Sequence, residues 1–532
     1  WLSLVVDEDD FEPIETLPNL DYKIVCGNSL IGLPESAMRS LEVEKELEGF
    51  KQQFYNETNE QEKKQLRTKI NTKIRELLDS AEQFAGYKID FDFKLFFSEV
   101  WHEKGGFDVV IGNPPYLDYR KIDTTITKKI NFENTGTSRP NFYIYFIDKA
   151  DTLINNLGLI TFINPNQFLA IDSGKSIRKH LLKNRDIKFV KDVSYVPVFK
   201  NASTYTCVWL ASKLIIEKEV SIGRIENLDN LTIGNFKVTQ SSILGQSDFI
   251  IPINQRNAVI EKLDKYKSIL KSNADMFWGT SASGYGKKKI SKEKFEDLSS
   301  NHKKNYIPLI QTADIKSFYI EWKGEYLPKE IFSEKVLSKF PLPKIVVGRL
   351  TKSLQASIDI EGYGVGKSTV LTNLKYNAHI LVSILNSSII NYWYLKKFES
   401  THMAGGYIRY DIPYLEKIPL PEPKKQNIFE ILVNYINSKN IADNISINFF
   451  SHLNDSLVFE LYFPTELQSA NKEILKHLGD LKPKTDSMSD EEKLAVIQSE
   501  FERLYDPNHP VRNNLETLDS IEEVRIIKEA LK

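Results

Sequence analysis

The sequence predicts an α/β protein in three parts: a domain built on a mainly parallel sheet, a mixed α+β domain, and a helical C-terminal region. Three observations predict this. From 107 to 216, short apolar strands alternate with amphipathic helices. After about 245, Gly, Ser, Lys and aromatic residues interleave without a steady period, and from 426 the pattern is almost entirely helical. The expected domains are therefore 1–245, with a helical insertion at about 38–84, then 246–423 and 424–532.

Each element has its own signal. "LDYKIVCGNSLIG" (20–32) predicts a short strand and a polar turn. In 38–84, Leu66, Ile70, Ile74 and Leu77 recur at helical spacing along a charged stretch, which predicts a helical hairpin with one apolar stripe. "FDVVIG" (107–112) and "LGLITFIN" (157–164) are strands. Between them Phe142, Phe146, Ala150, Leu153 and Ile154 share a helical face, and Gly158 stands where a C-terminal cap is expected. "GKSIRKHLLKN" (174–184) predicts a helix, and "FVKDVSYV" and "TCVWLASKLII" predict strands. In the helical end, "LKPKTDSMSDEEK" (481–493) is a loop followed by a helix start.

The 532 residues suggest two to four domains at roughly 100 to 200 residues each. Hydrophobic content of 41% and charged content of 27% exclude a disordered chain. No apolar run approaches the roughly 18 residues of a membrane span and no signal peptide is visible, so the expected location is cytoplasmic, with no membrane partner. Cys26 and Cys207 alone cannot build a disulfide framework or an all-cysteine zinc site. The net charge of -2 argues against a protein that coats nucleic acid but leaves room for a local basic cleft. Because the first residue is Trp1 rather than Met, the numbering is expected to begin inside a longer polypeptide.

The most informative stretch is "GFDVVIGNPPYLDYRK" (106–121), where an apolar strand runs into Asn113-Pro114-Pro115-Tyr116. Ligands of open α/β sheets bind beyond the carboxyl ends of strands. Asn113 precedes a proline and is pushed to an extended conformation, while Pro114 and Pro115 fix two φ angles and offer no N–H. The result is a rigid rim of acceptors, the Asn113 side-chain oxygen and the Pro114 carbonyl, with the Tyr116 ring beside them. The amino group of adenine carries two N–H donors and a lone pair delocalised into the ring. Two fixed acceptors would draw that nitrogen toward tetrahedral geometry and aim its lone pair at an electrophilic methyl group, with no metal required. The base must leave the duplex to reach such a pocket, and stacking on Tyr116 would return roughly 1 to 3 kcal/mol of the unstacking cost.

These residues resemble the gamma-class N6-adenine DNA methyltransferases, in particular the large fused type IIG restriction-modification enzymes. "CGNSLIG" (26–32) resembles the family's cofactor-adenine motif, "FDVVIGNPPY" its catalytic motif, and "NFYIYFIDKADTLINNLGLITFINPNQFL" the helix, strand and turn that follow. "LVSILNSSIINYWYLKKFESTHMAGGYIRYDIPYLEKIPLPEP" (381–423) resembles the end of a TaqI-like specificity domain. The resemblance implies a partial Rossmann-like methyltransferase domain followed by a DNA-specificity domain. It implies S-adenosylmethionine as cofactor, met by Asn28 and Asn113, and double-stranded DNA as partner. Asn113, Pro114, Pro115 and Tyr116 take the catalytic positions.

Two departures matter. Where the family places an aromatic residue near the helix holding Arg178, this chain has "AIDSGKSIR"; Phe168 is the nearest ring for the second face of the flipped base, although core packing is its favoured role. The glycine-rich loop for the methionine end and the acidic residue for the ribose are not found upstream of Asp108. The N-terminal remainder of the same polypeptide is expected to supply them, with or without a nuclease domain, and the isolated chain is expected to be inactive.

Other motifs are weaker. "EGYGVGKST" (361–369) has Glu361 where a phosphate loop needs glycine, and reads as a turn between strands. "DMFWGTSASGYG" (275–286), after a helix predicted over "AVIEKLDKYKSILKSNA", reads as a loop of the specificity domain. Lys287, in a lysine triplet, and Arg409, in "YIRYD", are candidates for DNA contact, with a solvated charge cluster and a surface turn as the respective alternatives. Two competing functions remain at this level: a protein glutamine N-methyltransferase, whose amide nitrogen poses the same chemical problem, and a DNA-recognition subunit without activity of its own. No nuclease constellation is evident.

Overall fold

The computed structural model describes residues 21–32, 41–117, 140–194, 196, 198, 205–225, 227, 236–246, 248–253, 258–280, 284–332, 342–398, 402–403, 406–422, 426–438, 442–485 and 487–532. The chain divides into two compact units, 1–253 and 254–532.

In the first unit, α1 (Leu41–Asn56) packs on α2 (Glu60–Ala85). The stripe Leu66, Ile70, Ile74 and Leu77 is buried against Leu47 and Phe54. Asn59 caps α2 by accepting from the N–H groups of Gln61 and Glu62, and Gly86, at φ +73°, ends it. A short helix α3 (Ser98–Lys104) leads to β1 (Phe107–Gly112). Then follow α4 (Phe142–Leu153), β2 (Ile154–Pro165), α5 (Lys175–Asn184), β3 (Asp186–Asp192), β4 (Thr206–Ser212), β5 (Glu219–Arg224), β6 (Phe236–Thr239) and α6 (Gln240–Leu244).

The six strands form one sheet in the order β1-β2-β4-β3-β5-β6. β1 is parallel to β2 and β3 to β5, while β4 is antiparallel to both β2 and β3. Hence β1, β2, β3 and β5 run the same way and end at one edge. On one face of the sheet α4, α5 and α6 build the core, with Ile144, Ile147, Ile177, Leu181 and Ile243 packed on Ile160, Phe162, Val190 and Trp209. On β1 itself, Val110 faces this core while Val109 and Ile111, pointing the other way, are 48% and 79% exposed. Among the described residues β1 pairs with β2 alone. Asp151, at the end of α4, is buried and accepts from Arg185 Nε at 2.5 Å, Arg185 Nη2 at 2.6 Å and His180 Nε2 at 2.8 Å, tying α4 to the end of α5.

Two expectations are corrected here. No strand forms over 21–32, where a lone bridge joins Asp21 and Ile24 and Ile24 is exposed without a ladder partner among the described residues. Gly158 caps no helix. α4 ends at Leu153 and β2 begins at once, with Gly158 inside it. A β-carbon there would lie 2.9 Å from the Phe107 carbonyl oxygen, so the glycine permits β1 and β2 to close where their register slips.

The second unit carries three small sheets. One has β14 (Gly364–Val365), β9 (Tyr306–Ile310), β10 (Glu325–Pro328) and β8 (Ile290–Ser291) in that order. Another has β13 (Ala356–Asp359), β11 (Lys344–Val347), β15 (Thr369–Thr372) and β7 (Asp275–Trp278). The third has β12 (Leu350–Thr351), β17 (Tyr407–Arg409) and β16 (His402–Met403). "DMFW" is thus strand β7 rather than a loop, because it completes the edge beside β15. The helix expected before it is broken into Ala258–Leu263 and Leu270–Asn273.

"EGYG" does turn between strands, and Asp359 shapes it by accepting from the N–H groups of Glu361, Gly362 and Tyr363 at 2.9, 2.9 and 3.0 Å. The same carboxylate meets Lys344 Nζ at 2.5 Å, and both side chains are fully buried. Helices α7 (Ala378–Asn386) and α8 (Ser388–Phe398) are followed by α9 (Ile412–Leu415), α10 (Gln426–Ile436), α11 (Asn444–Tyr462) and α12 (Asp490–Tyr505). Ser489 and Glu492 form a capping box at the start of α12, where the sequence predicts a helix start. Among the described residues no helix is long and apolar enough to cross a membrane.

Candidate functional site

The edge where β1, β2 and β3 end gathers Asn113 to Tyr116, Asn164 to Asn166, and Asp192. Asn113 is exposed, Pro114 buried, Pro115 exposed and Tyr116 half-buried. The Tyr116 hydroxyl donates to the Ile163 carbonyl on the neighbouring strand at 3.3 Å. Burial pushes the phenol up to about 12, so at neutral pH it stays uncharged. The Leu117 carbonyl accepts the N–H of Phe142 at 3.0 Å, fastening the rim to the first residue of α4. Gly112 is required directly before Asn113, because a β-carbon there would lie 2.3 Å from the Phe162 ring.

Two Asn-Pro steps therefore stand side by side, at the ends of two parallel strands, and they differ. Asn164 is fully buried, accepts from Trp209 Nε1 at 2.7 Å and donates to the Pro165 carbonyl at 2.9 Å. Its amide belongs to the core. Asn113 remains open to solvent. Sequence alone does not separate the two.

A second polar group at this edge was not anticipated from sequence. Asn166, 2% exposed, donates to Ser194 Oγ at 3.3 Å, and Ser194 in turn hydrogen-bonds Asp192 through its hydroxyl and, at 3.1 Å, its N–H. The Asn166 side-chain oxygen has no partner among the described residues. The connection from β3 to β4 leaves from the same edge. Val198 within it is 40% exposed, and Tyr195 and Phe199 fall outside the described residues.

Asn28 folds its own side chain back, its oxygen accepting from Leu30 N at 3.0 Å and Ile31 N at 3.3 Å. That leaves its amide nitrogen as the group it can offer. Leu30 packs on Tyr145, Phe142 and Phe146 of α4, so the 26–32 turn and the Asn113 rim attach to the same helix. Phe168 is a correction: it is 1% exposed, with its ring centroid 5.9 Å from that of Trp209, so it serves the core and offers no face to a base. Its carbonyl is one of five held by the fully buried Arg178, which donates to Phe168, Ile171, Ala170, Asp248 and Phe249 at 2.6 to 3.5 Å. This clamp fixes the turn that follows β2.

In the second unit Lys287 is exposed at the end of a short turn. Its neighbours Lys288 and Lys289 pair with Glu330 and Glu325, which leaves little of the triplet's charge uncompensated. Arg409 on β17 pairs with Asp411 at 2.9 Å. Among the described residues no three His, Cys, Asp or Glu side chains converge as a metal site.

Comparison with known proteins adds the following. The domain family described as Eco57I restriction-modification methylase matches residues 2–199, and the TaqI-like C-terminal specificity domain matches residues 307–420. The restriction enzyme and methyltransferase RM.MjaORFECS2P of Methanocaldococcus jannaschii is 24% identical over 87% of this chain and 46% of its own length. The type II methyltransferase M.BstVI of Geobacillus stearothermophilus is 23% identical over 72% of this chain and 77% of its own. RM.Eco57I of Escherichia coli is 29% identical over 20% of this chain and 11% of its own. The chain thus spans less than half the length of two of these relatives. Among solved structures, the type IIL restriction-modification enzyme MmeI in complex with DNA covers 86% of this chain and 64% of its own, at 11% identity and a TM-score of 0.43.

Proposed function

We infer that this chain is the methyltransferase portion of an enzyme of the type IIG restriction-modification kind, which methylates the N6 amino group of an adenine flipped out of double-stranded DNA. The observation that carries the reading is the exposed Asn113 held between a buried Pro114 and a glycine that the Phe162 ring leaves no room to change.

S-adenosylmethionine, when bound, supplies an electrophilic methyl group. Asn28, with its amide nitrogen still available, is a donor suited to a ring nitrogen of the cofactor's adenine, and Asn113 stands at the methyl side. On the substrate, the two N–H groups of the target amine donate to Asn113 Oδ1 and the Pro114 carbonyl, which localises the lone pair on nitrogen and orients it for transfer. Tyr116 forms one wall, its hydroxyl already spent on Ile163 and its ring unable to drift. The match to a TaqI-like specificity domain over 307–420 supports DNA over a protein glutamine as substrate; on this reading the second unit reads the target, and Arg409 and Lys287 are its candidate contacts.

The test is Asn113→Ala in the complete enzyme. Duplex binding should persist while single-turnover methylation falls by about 10²-fold or more, the scale of losing one preorganised transition-state partner. A near-normal single-turnover rate overturns the assignment.

A further inference from the structure

Asp411 sits at the N-cap of α9, where an aspartate ordinarily accepts a backbone N–H of the first turn. Here its side chain makes no such bond. One carboxylate oxygen accepts from Arg349 Nε at 2.8 Å and the other meets Arg409 Nη2 at 2.9 Å. Arg349 and Arg409 are brought together by the β12–β17 pair, in which Leu350 lies opposite Arg409, and by the Arg349 carbonyl, which accepts the Tyr410 N–H at 2.8 Å. The Arg349 guanidinium also lies 4.5 Å from the centroid of the Trp278 ring.

Two guanidinium groups on one carboxylate leave a local surplus of one positive charge. A fold that needed only an ion pair would bury one arginine. Here both remain open, with side chains 31% and 38% exposed, while the carboxylate that orients them is 17% exposed. Because Arg349 uses Nε for Asp411, its terminal Nη1 and Nη2 fork has no partner among the described residues. Carboxylate on one side and indole on the other hold that fork in a fixed plane, so little side-chain freedom is left to lose on binding.

We propose that Arg349 is a sequence-reading residue that donates its terminal fork to the O6 and N7 acceptors of a guanine in the major groove, with Arg409 as the second guanidinium on the shared carboxylate. This rests on the reading of the second unit as a DNA-specificity domain. A planar fork matches the two acceptors of guanine and clashes with the amino donor that adenine presents at the same place. A phosphate would be served as well by a mobile lysine, for which neither the indole nor the carboxylate is needed.

The experiment selects duplexes from a library with a randomised central window, using the full chain and its Arg349→Lys, Arg349→Ala and Asp411→Asn variants, across a salt series. Arg349→Lys keeps the charge and loses the fork. It should lose preference for guanine at one position by about 10- to 100-fold while the salt slope stays near that of the parent. Asp411→Asn, with both arginines present, should weaken preference at that same position. If Arg349→Lys enriches the same guanine as strongly as the parent, the proposal is wrong. It is equally wrong if Arg349→Ala weakens all duplexes alike with the profile unchanged, which is the mark of a phosphate contact. A parent chain that enriches no sequence fails earlier, overturning the DNA-specificity reading and this inference with it.

Discussion

The ring of Phe162 lies 2.3 Å from where a β-carbon on Gly112 would stand, and that ring is itself stacked on Trp209 with centroids 6.0 Å apart. The last residue of β1 is thus held against a stack with no room to yield. Gly112→Ala must move either the aromatic pair or Asn113. Overpacking of this kind costs about 1 to 3 kcal/mol, so the denaturant midpoint should fall with the slope unchanged. In the complete enzyme methyl transfer should fall further than duplex affinity, since the displaced residue is the acceptor rim.

The buried Asp151 gives a prediction in acid. Burial alone would raise its carboxyl, but the hydrogen bonds from His180 and Arg185 outweigh it and hold the group below the usual carboxylate range. A carboxyl depressed in the folded state contributes stability that is present above its unfolded pKa and lost as pH falls through its folded one. Denaturation midpoints followed downward from neutral pH should therefore decline, and Asp151→Asn should flatten that part of the decline. At neutral pH the same variant should cost about 3 to 5 kcal/mol, because it leaves Arg185 with an uncompensated, largely buried charge.

Lys344 and Asp359 predict a contrast between single and double variants. Asp359→Asn strands a fully buried ammonium and weakens the cap on residues 361–363, and should cost about 3 to 5 kcal/mol. Lys344→Met combined with Asp359→Asn should recover part of that loss, since no unpaired charge remains. A double-mutant cycle by chemical denaturation measures the difference.

What the sequence made legible was local. The stripe from Leu66 to Leu77, the helix start at Ser489 and the strand running into Asn113 each announce themselves within one or two turns of chain. Contacts between distant residues were not legible. From its sequence neighbours Phe168 stays open between a wall for a base and the favoured role in the core, and Trp209, 41 positions on, decides for the core. Gly158 has the look of a helix cap, yet its role is set by Phe107, which lies on another strand. Arg349 carries no periodic signal at all. Its significance comes from Asp411, 62 residues away, and Trp278, on β7.

Among the described residues β1 pairs with β2 alone and so ends the sheet, and Val109 and Ile111 on it are 48% and 79% exposed. Such an edge is a template for adding strands, and natural proteins usually blunt it with charge, proline or a cover. Asp108 is the one charge on β1, and it is already engaged by Lys104 and Asn155. If that edge stays open in the whole chain, it is the place where a further strand would add, next to the candidate catalytic rim. The strand disposed to pair with another chain is thus the one that delivers Asn113 to its place.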